Sequence, residues 1–214
     1  MKKIILIGDS IRMGYEKYVE EALSDVAEVY YPSINCGFSQ HILRFLSDWK
    51  RDEKWPTDAD LIHWNAGLWD VLEMFGDGPF SSPEHYSDMI KRIDKLIRIL
   101  FPNAKVIFAT STSVREEGYG ESFKRHNATI ERYNEIALKA LEGTDTVIND
   151  LYTHSLKATP DCCSDMTHYA TPAGAALIGG KVISAICNEL SISASDVRIE
   201  GFELTKYSRN EIGF

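Results

Sequence analysis

Lys3-Ile4-Ile5-Leu6-Ile7-Gly8-Asp9-Ser10 lies at the start of the chain and decides how the rest is read. The unbroken aliphatic run Ile4–Ile7 leaves no polar position on either face of an extended segment, the pattern of a strand covered on both sides. Gly8-Asp9-Ser10 then stops it with residues suited to a turn or a helix N-cap. Comparable short apolar runs recur at Ala59–Trp64, Lys105–Ala109 and Thr146–Ile148, with Ala27–Tyr31 a weaker fifth.

Longer segments of helical period separate these runs. From Glu84 to Phe101 the apolar side chains Tyr86, Met89, Ile90, Ile93, Leu96, Ile97 and Leu100 share one helix face, opposite Lys91, Arg92, Asp94, Lys95 and Arg98. Ser82-Pro83-Glu84 starts this helix and Phe101-Pro102-Asn103 ends it. A second helix is expected over Phe123–Leu141, with Ile130, Tyr133, Ala137 and Leu141 inward. A third is expected from about Pro172 to Leu190, where Gly174, Ala175, Ala176, Gly179 and Gly180 permit close packing on a sheet. Strands alternating with helices predict an α/β fold: a three-layer α/β/α sandwich on a five-stranded parallel sheet of flavodoxin-like order 2-1-3-4-5. One domain is expected over residues 1–190. Residues 191–214 then form a C-terminal extension, an edge addition, a packing arm or a dimer contact, the last making a homo-oligomer.

Composition narrows the function classes. The 214 residues carry a formal charge of −9 and no basic block, which argues against a nucleic-acid partner. The apolar run after Met1-Lys2-Lys3 is too short for a secretory h-region, and no other run approaches the ~20 residues of a membrane span, so a cytoplasmic location is expected. Cys36, Cys162, Cys163 and Cys187 include no CxxC or zinc-like Cys/His spacing; reduced thiols and no metal are expected.

Ligands of an open parallel sheet bind beyond the strands' carboxyl ends. Those ends carry Gly8-Asp9-Ser10, Asn35-Cys36-Gly37, Asn65-Ala66-Gly67-Leu68-Trp69-Asp70 and Thr110-Ser111-Thr112-Ser113-Val114-Arg115, and Asp165-Met166-Thr167-His168 precedes the last helix. A serine hydroxyl is a weak nucleophile without an adjacent base, and His168 is the best placed histidine. Asp165, three residues earlier, can fold back to orient the imidazole and stabilise its cation. His85, His126 and His154 lack such a local partner; His63 sits in a buried strand pattern, and His41 can line a pocket. Asp9, Gly37, His41 and Trp69 are the candidate pocket residues. For Asp9 a turn or N-cap role weighs as much as acid–base work. The faces of Trp64 and Trp69 suit sugar rings or acyl groups, with core packing the alternative. Gly76-Asp77-Gly78-Pro79 can form a pocket wall, and Arg115 can bind a substrate anion or join a surface ion pair.

Gly8-Asp9-Ser10 after the first strand and Asp165-x-x-His168 before the last helix resemble the first and last blocks of the SGNH (GDSL-like) hydrolases, over roughly Lys3 to Leu190. The resemblance implies the same five-stranded sandwich and a serine esterase with Ser10 as nucleophile, His168 as base and Asp165 as its orienting acid. The second block of that family reads Asn-x-Gly-x-x-Gly; here Gln40 holds the final position, where its backbone N–H can still serve the oxyanion hole beside that of Ser10. The third block reads Gly-x-Asn-Asp, and Trp69 stands where asparagine is expected. A branch of the family is similar in writing Asn-x-Gly-Leu-x-Asp, which makes Asn65 the side-chain oxyanion donor. Similar members also carry a Thr/Ser-rich segment, here Thr110–Val114, and an Arg-x-Asn…Tyr-Asn helix, here Arg125, Asn127, Tyr133 and Asn134. The implied activity is cofactor-free hydrolysis of a small-molecule O-acyl ester, O-acetyl groups on sugars foremost. A lysophospholipase or thioesterase is the rival within this chemistry, and a non-catalytic carbohydrate-binding protein the rival outside it.

Overall fold

Strand β1 (Lys2–Ile7) is the centre of the molecule because Ile4–Ile7 are wholly buried from both sides. The computed structural model describes residues 1–197. After β1 come α1 (Ser10–Leu23), β2 (Ala27–Tyr30), α2 (Ser39–Asp52), β3 (Leu61–Trp64) and the two-residue β4 (Glu73–Met74). They are followed by α3 (Pro83–Leu100), β5 (Lys105–Ala109), β6 (Phe123–Lys124), α4 (Asn127–Ala140), β7 (Val147–Asn149), α5 (Leu151–Ser155) and α6 (Pro172–Leu190). The main sheet runs β2-β1-β3-β5-β7, with every pair parallel. Counted within that sheet alone, this is the expected order 2-1-3-4-5. Ile4 to Ile7 pair in register with Leu61 to Trp64, and Leu61 to Trp64 with Lys105 to Phe108, so the carboxyl ends of β1, β3 and β5 form one edge.

Helices α1 and α2 escaped the sequence reading; α1 is buried on all sides from Ser10 to Glu16, whereas α2 is amphipathic. In α2, Ile42, Leu46 and Trp49 form the buried stripe. Phe123 and Lys124, expected to open a helix, instead pair antiparallel with Met74 and Glu73, and the helix starts at Asn127. The Phe123 ring explains the difference: it is half-exposed and meets Phe75 at 6.0 Å, so it never joins the inward stripe of α4.

The small-residue helix α6 is long and apolar enough to cross a membrane by length and composition, contrary to the expectation that no stretch is. It packs chiefly on α1: a Cβ on Gly179 would come within 2.9 Å of the Tyr18 ring. Residues 191–197 fold back along α1, where Ser195 N–H donates to the Ala22 carbonyl at 2.8 Å and its hydroxyl to Asp25 at 2.8 Å. The rest of the expected C-terminal extension, including Ile199, Phe202 and Leu204, lies outside the described residues.

His63 faces the core, as its strand pattern indicated. Asn149 Nδ2 donates to its Nε2 at 3.1 Å, and burial pushes its pKa down to about 3. The folded value lies below the unfolded ~6.5, so the unfolded chain takes up the proton first. Stability from this group is complete above about pH 6.5 and is lost as pH falls towards about 3. The expected result is a lower urea midpoint at about pH 5 than at about pH 7, with a smaller drop in His63→Gln. An equal drop in both proteins would exclude His63 as a source.

Candidate active site

The turn from β1 into α1 sets the serine. Asp9 is the N-cap of α1, its Oδ1 accepting from the Ile11 N–H at 3.0 Å, so Ser10 is the first helical residue. Its own N–H has no partner among the described residues, one of the unpaired donors that every helix N-terminus presents. His168 Nε2 lies 2.7 Å from Ser10 Oγ. Its Nδ1 lies 2.9 Å from Asp165 Oδ2 and 3.0 Å from Oδ1. The carboxylate acceptor fixes the proton on Nδ1 and leaves Nε2 to receive the serine proton.

Asp165 Oδ1 also accepts the backbone N–H groups of Thr167 (2.7 Å) and His168 (2.9 Å). Burial opposes its ionisation, but the hydrogen bond and charge of His168 and these backbone donors outweigh it, holding the pKa at about 2. Asp165 therefore stays ionised at any pH well above about 2, ready to stabilise an imidazolium. Arg115 serves this loop rather than a substrate anion or a surface ion pair. Its guanidinium donates to the carbonyls of Asp165 (2.8 Å from Nε) and His168 (3.1 Å), and lies over the Tyr169 ring.

The other strand ends are locked by side chains that imitate backbone. Asn134 pairs with Ser111 through both backbone groups (2.8 and 3.1 Å), and Asn127 does the same with Val114 (2.9 and 2.9 Å). Tyr133 donates to the Ser81 carbonyl and Arg125 Nε to that of Leu68 at 2.6 Å. In the third block, Gly67 adopts φ +146°, and a Cβ there would meet Ser111 Oγ at 2.3 Å. Buried Asp70 accepts from the Ser39 N–H (3.0 Å), the Ser39 hydroxyl (2.6 Å) and the Ser81 hydroxyl (2.8 Å). It thereby caps α2, whose own N-cap residue, Phe38, has no side-chain donor or acceptor to offer.

That cap leaves the Gln40 N–H, in the first turn of α2, without a partner among the described residues, while its side chain is exposed. Asn65 is buried against β1: Nδ2 donates to Asp9 Oδ1 at 3.2 Å, and a Cβ on Gly8 would lie 2.0 Å from Asn65 Oδ1. One Nδ2 hydrogen is thus committed to Asp9 and one remains. With that hydrogen on the oxyanion, Asn65→Ala is expected to lower kcat by about a hundredfold or more with little change in KM. Nearly unchanged turnover in a folded variant would remove Asn65 from the oxyanion hole.

A pocket of about 420 Å³ opens beside Ser10 and His168. Trp69, Leu72, Tyr119, Phe123 and Met166 supply apolar walls, with Arg125 among them. Of the four expected pocket residues only Trp69 lines it. Asp9 is fully buried beneath the serine, where burial raises its pKa. Gly37 makes a positive-φ turn (+62°), its N–H held by Asn35 Oδ1 at 2.9 Å. His41 turns its Nδ1 to the Cys36 carbonyl (2.7 Å) and packs its ring on Phe45 and Trp49, away from the pocket. Gly76–Pro79 are likewise absent from its lining. Tyr119, Phe123, Met166 and Arg125 were missed as wall residues: Tyr119 and Phe123 arrive on connections without a local signal, and the motifs that hold Met166 and Arg125 carry no record of which way these side chains face.

No protein-family model and no curated protein matches the sequence. Solved structures do. An acetyl xylan esterase superposes with a TM-score of 0.65 at 19% identity, covering 86% of this chain and 99% of its own. A lipase/acylhydrolase from Enterococcus faecalis gives 0.66 at 18%, covering 92% and 100%. A carbohydrate esterase family 3 protein from Talaromyces cellulolyticus gives 0.66 at 17%, covering 90% and 100%. With the five-stranded parallel sheet and its helical layers, these likenesses establish that the chain has the SGNH (GDSL-like) hydrolase fold.

Proposed function

We propose that the protein is a serine hydrolase of carboxylic esters. The observation that carries this is the continuous chain Asp165–His168–Ser10, each link within hydrogen-bond distance, at the edge of an open pocket. Ser10 Oγ attacks the ester carbonyl as its proton passes to His168 Nε2, and Asp165 stabilises the resulting imidazolium. The oxyanion is held by the N–H groups of Ser10 and Gln40 and by Asn65 Nδ2. His168 then protonates the departing alcohol, leaving an acyl-enzyme on Ser10. A water, deprotonated by the same imidazole, releases the acid and restores the serine.

Two acyl classes have support. O-acetyl groups on carbohydrate are favoured by the esterases of known structure that share the fold and by Trp69 on the pocket wall. Larger apolar groups, as in a lysophospholipase or thioesterase, are favoured by the apolar side chains around most of the cavity. A nitrophenyl ester series from acetate to dodecanoate, run beside acetylated xylo-oligosaccharide, separates them. A fluorophosphonate tests the common step. A single adduct on Ser10 is expected, and no adduct in folded protein would refute the hydrolase reading in favour of a non-catalytic carbohydrate-binding protein.

A further inference from the structure

Arg125 is the one arginine or lysine among the described residues that line the serine's pocket. Its half-buried guanidinium spends Nε on the Leu68 carbonyl at 2.6 Å, which fixes the plane of the fork. The terminal nitrogens have no hydrogen-bond or ion-pair partner among the described residues. Anions near them do not neutralise them. Glu121, also on the wall, is fully exposed and its nearest cation is Lys124 at 3.8 Å. Asp9 feels the charge of Arg125 but lies wholly buried under Ser10, with Oδ1 accepting from the Ile11 N–H and Asn65 Nδ2, and it makes no ion pair with Arg125 among the described residues. His168 is committed to Asp165 and Ser10. A guanidinium with one edge anchored and the other free, inside an apolar cavity, is built to receive two oxygens of an anion.

We propose that Arg125 binds an anionic group of the substrate, a carboxylate or a phosphate monoester, while Trp69, Leu72, Phe123 and Met166 enclose its apolar body. The substrate class is therefore an amphipathic ester with a negative charge one pocket-width from the scissile carbonyl. Reading the ligand as an ester rests on the proposed hydrolase function; the anion site itself does not.

The test is binding, so it stands whether or not turnover is seen. Phenylacetate, benzyl phosphate and the neutral phenylacetamide are titrated into the intact protein, followed by calorimetry, with intrinsic tryptophan fluorescence as a second readout. Either or both anions should bind at least about tenfold tighter than the amide, consistent with a charge-assisted, partly desolvated pair, and which anion leads identifies the source. Arg125→Gln, which can still donate to the Leu68 carbonyl, should abolish the preference while leaving amide binding unchanged. Arg125→Lys should restore part of it. Equal binding of anions and amide by the wild-type protein would overturn the proposal. So would a preference that survives Arg125→Gln, which would put the anion in the oxyanion hole instead. Loss of amide binding in Arg125→Gln would reduce Arg125 to a brace for the Leu68 turn. Failure of the fluorophosphonate adduct, by contrast, would remove the hydrolase reading and leave these outcomes standing.

Discussion

His168→Ala is expected to lower kcat for an activated ester by about 10⁵-fold or more, with KM and the melting temperature nearly unchanged. The expectation follows from the position of the ring. Nε2 is 2.7 Å from the Ser10 hydroxyl, and no other histidine stands there: His63 is tied to Asn149, His41 to Cys36, His126 to Glu116 and His154 to Leu177, and His85 is exposed in the first turn of α3, outside the pocket. Without a base the hydroxyl stays protonated at neutral pH and the attack loses its proton acceptor. Ser10→Ala should fall by a similar factor, and the double variant no further, because the two groups act as one unit. Asp165→Asn should cost on the order of 10⁴-fold, since the amide offers Nδ1 a donor as readily as an acceptor and no longer fixes the tautomer. Stopped assays on wild type and the four variants measure this. A His168→Ala enzyme within tenfold of wild type would place the base elsewhere.

The second large effect concerns stability. Arg12→Met is expected to destabilise the protein by about 3–5 kcal/mol. Arg12 and Glu16 form an ion pair one turn apart on α1, both side chains wholly buried. Removing the cation alone leaves a carboxylate in the interior without its partner charge. Arg12 also donates to the carbonyls of Pro32 (2.9 Å) and Ile34 (2.5 Å), tying the loop between β2 and α2 to the serine's own helix. That loop leads through Asn35-Cys36-Gly37 to the Gln40 N–H, so turnover should fall with stability. Removing both charges in Arg12→Met/Glu16→Leu should recover most of the folding free energy while leaving the loop untethered and turnover low. Urea midpoints with matched rates on the single and double variants separate the two roles. A single variant within about 1 kcal/mol of wild type would mean that neither the pair nor the tether matters to the fold.

Parts of this site were legible because their determinants are local. Asp165 and His168 are three residues apart, and the intervening turn satisfies the carboxylate with the Thr167 and His168 N–H groups, so the spacing alone brings acid and base together. The Arg-x-Asn…Tyr-Asn pattern was visible as a motif, but its work was not. Asn134 and Asn127 act as surrogate strand partners for Ser111 and Val114 respectively, a pairing that exists only once α4 lies beside the end of β5. His41 was read towards the pocket because it follows Gln40 closely. In the helix the two point apart, and aromatic contacts with Phe45 and Trp49 decide where the ring goes. Arg115 was read as a ligand or a surface ion pair, and neither reading had access to the carbonyls of a loop fifty residues later in the chain.

What the amino-acid sequence determines by itself is the layered sheet and the serine at its edge. A strand buried on both faces needs an unbroken apolar run, and Ile4–Ile7 announces one wherever its neighbours come from. The turn after such a strand must then bear polar residues at the sheet's carboxyl edge. Which side chains wall the pocket, and that Arg125 lines it with terminal nitrogens engaged by none of the described residues, only the tertiary structure decides. Hydrophobic period reports whether a residue faces inward along its own element. It carries no record of which connections meet across the sheet edge, since those meetings depend on register, on Asp70 capping a helix from another loop, and on the short pairing of β4 with β6.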